Sequence, residues 1–263
     1  MKYTIGMLVA IFSVSALIAQ ERVNEAVIQT KMEINNPDNG QIPGGLPEGA
    51  MVMRFGDGDI TSKIFFKNGM TKIETDMGMG KNQVIIDGIN KKTTTLIEAM
   101  GRKMGFTSTD AEMQAMMQGG DSSRQRPMPN FNPEVFVEYL NDAKKIAGVV
   151  CKKAMLRYLN RKGEEVNQAV WYAPDVQMGE GFRMNDMMRA ANIPGLEKIK
   201  GFPMEFEMTR PNGATVHYTV TKLDLNAKVE DKTFIIPKDY DIKPMSEMRQ
   251  GGPGMRFRMG GSM

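Results

Sequence analysis

Cysteine, histidine and tryptophan occur once each in this 263-residue chain, as Cys151, His217 and Trp171. A lone cysteine excludes an intramolecular disulfide framework. One cysteine and one histidine cannot build a structural Cys/His zinc site, or a metal facial triad that needs two histidines. Catalysis of the Ser-His-Asp or Cys-His type survives only with His217 as the base. Net charge is scarce as well: 34 Lys and Arg stand against 31 Asp and Glu, so the chain-wide basic footprint of a nucleic-acid-binding protein is missing. The glycines near 78–80 and 119–120 open no strand-to-helix phosphate loop. What the chain has in excess is methionine, 26 residues in all.

The N-terminus sets an expected compartment. Lys2 precedes an apolar run from Ile5 to Ala19, and Gln20, Glu21 and Arg22 follow it. This is the pattern of a secretory signal peptide. Cleavage is expected at Ala19 or within a residue or two of it, because Leu17 fits the small-residue rule poorly. The alternative is an uncleaved anchor, but the run is shorter than the roughly 20 apolar residues of a membrane span. No cysteine lies near Ala19 to carry a lipid. The mature chain is therefore expected in a periplasm or outside the cell, close to neutral, with Cys151 unpaired in an oxidising compartment. Cys151 reads as a small buried strand residue. An intermolecular disulfide, or a thiol activated by Lys152 and Lys153, is the functional alternative.

Alternating apolar residues and turn signals predict an antiparallel meander. Residues 23–34 suit a strand, and a Gly/Pro-rich loop follows them. Short β-forming runs then recur from Asp59, separated by Asn68-Gly69, Gly78-Met79-Gly80 and Gly88-Ile89-Asn90. Residues 110–117 suit a short helix, and 118–130 a mobile insert. Asn132-Pro133-Glu134 resembles a helix start, with Phe136, Tyr139 and Leu140 forming a stripe, so a helix is predicted over 133–142. Two long strands meet at Asn160-Arg161-Lys162-Gly163. A methionine-rich helix is predicted near 183–191, and strands return at 201–210, 214–226 and 231–240. Residues 245–263 are too rich in glycine to pack. The expected organisation is a signal peptide (1–19), an N-terminal strand and loop (20–58), the remainder of a single domain (59–244) and a tail (245–263). The expected class is α+β, a large curved antiparallel sheet on two or three short helices.

Four phrases, IAGVVCKK (Ile146 to Lys153), AVWYAPDV (Ala169 to Val176), IKGFPMEFEM (Ile199 to Met208) and VEDKTFIIPKDY (Val229 to Tyr240), occur in an order and spacing that resemble the secreted Bacteroidota family known as domain of unknown function 4412. KIFFKNGMTKIET and QVIIDGINKKTTTLIEA follow the same pattern, so the resemblance covers about Asp59 to Tyr240. More distantly, the arrangement is similar to the carriers and receptors of bacterial lipoproteins, the LolA/LolB-like fold. That resemblance implies an incomplete β-barrel curling around helices, a periplasmic compartment, and a lipid or lipoprotein as partner. It supplies no catalytic residues, and fold alone does not fix function.

The candidate chemistry follows from faces. An apolar concavity lined by Val84, Ile86, Phe202, Met204, Phe206, Met208, Val216, Tyr218 and Val220 would suit an acyl chain or lipoprotein, with helix 133–142 and the methionine-rich helix as plug or lid. The flexible thioethers favour such a variable apolar partner. The same residues could instead form an ordinary filled core, as in a structural envelope protein without ligand. A third reading takes Met184, Met187 and Met188 as soft ligands for copper(I). His217 lies between Val216 and Tyr218 and is expected on the opposite, wet face. Glu205 and Glu207 decorate a solvated face more simply than they form an acid/base pair. The expectation is a non-enzymatic periplasmic binding protein with no cofactor and no nucleic-acid partner, able to associate peripherally with the envelope.

Overall fold

The computed structural model describes residues 22–35, 58–76, 80–99, 101–118, 133–184, 193–210 and 213–248. The leader, most of the Gly/Pro-rich loop, Met187 and Met188, all of the 118–130 insert except Gln118, and the tail beyond Met248 lie outside these residues. Twelve strands form one sheet: β1 (Glu25–Asn35), β2 (Gly58–Lys67), β3 (Met70–Asp76), β4 (Gly80–Asp87), β5 (Lys92–Ala99), β6 (Arg102–Thr109), β7 (Phe136–Ile146), β8 (Val149–Leu159), β9 (Glu165–Ala173), β10 (Phe202–Thr209), β11 (Thr215–Asp224) and β12 (Asp241–Pro244). Their order is β12-β6-β5-β4-β3-β2-β1-β11-β10-β9-β8-β7. Every neighbouring pair is antiparallel except β12 and β6. The edge strands β7 and β12 do not meet, so the sheet is an open, unclosed barrel. Among the described residues the α-helices of more than one residue are short, α1 (Asp110–Gln118) and α2 (Met245–Met248).

Local sequence explains the hairpins. Asn68-Gly69 and Ala147-Gly148 join β2 to β3 and β7 to β8 with both central residues at positive φ, 47° and 85° in the first and 49° and 81° in the second. This is the two-residue turn whose twist matches the flanking strands. At the β8–β9 turn the Asn160 carboxamide oxygen accepts from the backbone N–H groups of Lys162 and Glu164 at 2.9 and 3.0 Å.

The two faces of the sheet separate cleanly. On β1, Ala26, Ile28, Thr30 and Ile34 are buried while Gln29, Glu33 and Asn35 are exposed, the period-2 pattern of a half-buried strand. Their cross-strand partners continue the buried side as Ala26–Phe66–Thr71–Ile86 and Ile28–Ile64–Ile73–Val84. That side is concave. Phe66 on β2 and Phe202 on β10 are three strands apart in the sheet, yet the ring of Phe182 touches both, with centroids at 5.1 and 6.0 Å. A β-bulge between β1 and β11, where Thr221 is the extra residue, adds to the bend.

The convex side is strapped. After β11 the chain crosses behind the sheet. The Val229 carbonyl accepts from Lys67 Nζ at 2.8 Å and the Val229 N–H donates to the Glu25 carboxylate. Further on, Asp239 pairs with Lys103 at 2.7 Å and β12 adds to β6. Leu96 therefore has no exposure although it lies on this outer side. The strap replaces the strand expected over 231–240: Asp231–Phe234 is a 3-10 turn, and the strand comes later as β12.

The helix predicted over 133–142 is absent, and its residues enter edge strand β7. It cannot act as a plug. Phe136, Tyr139 and Leu140 form no single stripe in the fold: Phe136 and Tyr139 pair in regular register with Arg157 and Ala154 on opposite faces of β7, and Phe136 is exposed. Pairing with β8 overrides that local signal. Of the methionine-rich helix, only its first residue, Met184, is described as helical.

Candidate functional site

The concave face is filled on one flank and open on the other. Around β1, β11, β10, β9 and β8 it forms the core, where Ile28, Leu156, Val170, Met204, Phe206 and Val220 are buried. Beyond β2 only part of the inward face stays covered, as at Thr71 and Ile86. Paired across β3, β4, β5 and β6, the rung Ile73–Val84–Thr95–Phe106 is half-buried, and Ile97–Met104 beside it is too. Toward β1 the Ile97–Met104 rung turns polar, continuing as Asn82–Thr75–Ser62–Thr30 between Ile73 and Val84 on one side and Met32 and Ile60 on the other, and Ser62 and Thr75 share a hydrogen bond of 2.9 Å.

One end of this floor is closed by the chain between β9 and β10. Val23 bridges to Met178, and the Gly179 N–H donates to the Val23 carbonyl at 2.8 Å. Three glycines then permit backbone-on-backbone contact. A Cβ on Gly88 would lie 1.8 Å from the Gly181 carbonyl oxygen, and one on Gly181 would lie 2.6 Å from the Gly69 Cα. This approach seats Phe182 edge-on against Phe66. Arg183 pairs with Asp110 at the start of α1, at 2.9 Å, which ties the segment to the β6 side. On its other flank a recess of about 420 Å³ is walled by Phe182, Met184, Leu196 and Ile199, with Arg183 and Glu197 at its polar margin.

The structure places all nine residues expected to line a concavity on the inward side. Ile86, Phe202, Met204, Phe206, Val216, Tyr218 and Val220 are buried, and only Val84 and Met208 are half-buried. Most of them therefore build the packed flank. Phe206 stacks on Tyr218 with centroids 4.8 Å apart. Burial pushes the Tyr218 hydroxyl well above its ordinary pKa, and its oxygen has no hydrogen-bond partner among the described residues. The open floor was missed because β6 was not read as a strand. Met104 and Phe106 alternate there with Lys103 and Gly105, but a mid-strand glycine weakens the signal. Gly105 is closely packed, since a Cβ would lie 2.8 Å from Leu96 Cδ2.

The histidine and its carboxylate neighbours lie on the other face. His217 sits on the convex side, with Nδ1 3.4 Å from Glu33 and Nε2 3.8 Å from Glu205. Glu205 pairs with Lys144 at 2.6 Å. The Glu33 carboxyl is held below the usual range by Lys31 first and His217 second. Cys151 is fully buried, and desolvation raises its thiol pKa. Among the described residues no group of three His, Cys, Asp or Glu could hold a metal. Met184 packs against the core cluster, and its two partners in the copper reading lie outside the described residues. Among the described residues no helix is long and apolar enough to cross a membrane.

No family model and no curated protein sequence matches the chain. The resemblance to family 4412 gains no support there. Solved structures do resemble it. Two crystal forms of PNGF-II align over 86% of this chain at 12% identity, with TM-scores of 0.39 and 0.38. The chain spans only 32% and 33% of those proteins. MucB aligns over 84% of this chain and 60% of its own at 11% identity, with a TM-score of 0.33. A Vibrio parahaemolyticus domain named for outer-membrane lipoprotein sorting aligns over 82% of this chain and 91% of its own, at 11% identity and a TM-score of 0.27. Likeness at this level is too slight to transfer a function.

Proposed function

We propose that the chain is a non-enzymatic binding protein of the cell envelope that holds an acyl chain, free or carried by a lipid or lipoprotein, on the concave face of β3–β6. The observation that carries this reading is the half-buried apolar floor of Ile73, Val84, Ile97, Met104 and Phe106, inward-facing residues left partly uncovered where the neighbouring flank is packed. Covering such surface is favourable by about 0.8 kcal/mol per buried methylene of a ligand. Met104 adapts to a chain of variable shape. Titratable groups such as His217 and Glu205 face the other side, which suits binding without chemistry. The signal-like leader suits an envelope location.

Native mass spectrometry of protein purified from its own cell envelope tests the reading. The expected result is a population carrying one lipid-sized mass, lost in Ile97→Glu while the circular dichroism spectrum is kept. Ligand-free protein that also fails to take up added lauric acid would refute it.

A further inference from the structure

We propose that the tip of the β7–β8 hairpin is a docking surface for a bilayer carrying anionic headgroups. From Asn141 to Ala154 the chain holds four lysines, Lys144, Lys145, Lys152 and Lys153, and a single acid, Asp142. Strand pairing gathers them. Lys145 pairs directly with Val150, and Lys152 follows Val150 on the same side, two residues on. All three are exposed, Val150 at 51%. Lys145 and Lys152 make no ion pair among the described residues. On the opposite side Lys144 and Lys153 lie 4.4 and 5.7 Å from the Trp171 ring centroid, and Lys144 alone is balanced by Glu205. The turn itself is small and bare: Ala147 and Gly148 are exposed, and a Cβ on Gly148 would meet nothing within 4 Å.

This combination fits a headgroup plane. Lysine stems follow apolar surface while their ammonium groups reach phosphates, so a valine framed by lysines enters the interface without burying charge. Each lysine near an anionic surface adds attraction that salt screens. A narrow protruding turn offers little area to a folded acidic partner, whose interface would need far more. The near-neutral balance of the whole chain makes the cluster a local feature rather than a consequence of net charge.

Vesicle co-sedimentation of the full chain tests this, using phosphatidylglycerol mixed into phosphatidylethanolamine against phosphatidylcholine alone. The expected result is binding to the anionic vesicles, suppressed by roughly 0.5 M salt, and weakened at least about tenfold in Lys145→Glu/Lys152→Glu. The charge-matched Lys228→Glu/Lys238→Glu, at exposed positions on the strap, should bind as the parent does. Energy transfer from Trp171, the single tryptophan, to dansyl-headgroup lipid reports docking with no substitution at all. Equal binding to neutral vesicles would overturn the proposal. So would unchanged binding by the Lys145/Lys152 variant, or capture of an acidic polypeptide with no vesicle binding. Lauric acid uptake is measured without vesicles, so the failure of either proposal leaves the other standing.

Discussion

Phe182 meets Phe66 edge-on, with centroids 5.1 Å apart and planes at 88°. The contact matters because Phe182 belongs to the link between β9 and β10, while Phe66 belongs to β2, on the other side of β1. One ring therefore fastens the packed flank of the sheet to the open flank. Phe182→Ala should cost roughly 2 to 3 kcal/mol, less than a fully buried phenylalanine because the ring is half-buried. Urea denaturation measures it. A loss under about 0.5 kcal/mol, within the range of ordinary surface changes, would mean that the ring is not a fastener.

Gly88 tests the same closure from the backbone side. It has no positive φ, so Gly88→Ala acts through contact alone, against the Gly181 carbonyl. Displacing that segment should cost roughly 1 to 3 kcal/mol. Gly101→Ala, where φ is 71° and the space is open, should cost only the left-handed strain of about 1 to 2 kcal/mol and leave the closure undisturbed. Hydrogen exchange at the Gly179 amide separates the two: faster in Gly88→Ala, unchanged in Gly101→Ala.

Cys151 should stay silent to a thiol reagent in the native protein and react fully once urea unfolds the chain, because its side chain is buried. Desolvation raises its thiol pKa, so this contribution is complete below the unfolded pKa and fades as pH rises toward the folded one. Rapid native labelling, or a disulfide-linked dimer, would contradict this placement.

Acid should weaken the fold through identifiable carboxylates. Glu33, Asp87 and Asp239 all have lowered pKa values, chiefly from Lys31, from the Asn90 side chain and from Lys103 respectively. A lowered folded value means that stability is present above the unfolded pKa and is lost as pH falls through the folded one. The urea midpoint should therefore decline below about pH 4, and less steeply in Asp87→Asn. Lys31 acts at the other extreme. Its pKa is raised to about 12 by Asp59 and Glu33, so its contribution is full below the ordinary lysine value and disappears as pH climbs through that higher one.

The strands with regular alternation, β1, β2, β10 and β11, could be read directly, as could the sharp turns at Asn68-Gly69 and Asn160–Gly163. His217 was placed correctly by parity alone. Strand β7 was hidden because Phe136 and Tyr139, on opposite faces of the strand, have a spacing that also suits a helix, and β6 by Gly105, which packs beside Leu96 on the neighbouring strand. The candidate site was legible as a face and illegible as an opening. Alternation tells which residues point inward, but only the path of the 174–184 link decides which of them are covered.

The apolar floor can be watched directly through methionine, the residue the chain has in excess. With carbon-13 on the methionine methyl groups, lauric acid is titrated while Met32 and Met104 on the concave side are compared with Met155, whose pairing with Glu138 and Ala169 puts it on the convex side. The binding account predicts saturable shifts at Met104 and smaller ones at Met32, with Met155 unmoved, and loss of all of them in Ile97→Glu. Shifts centred on Met155, or a spectrum unchanged through the titration, would contradict it.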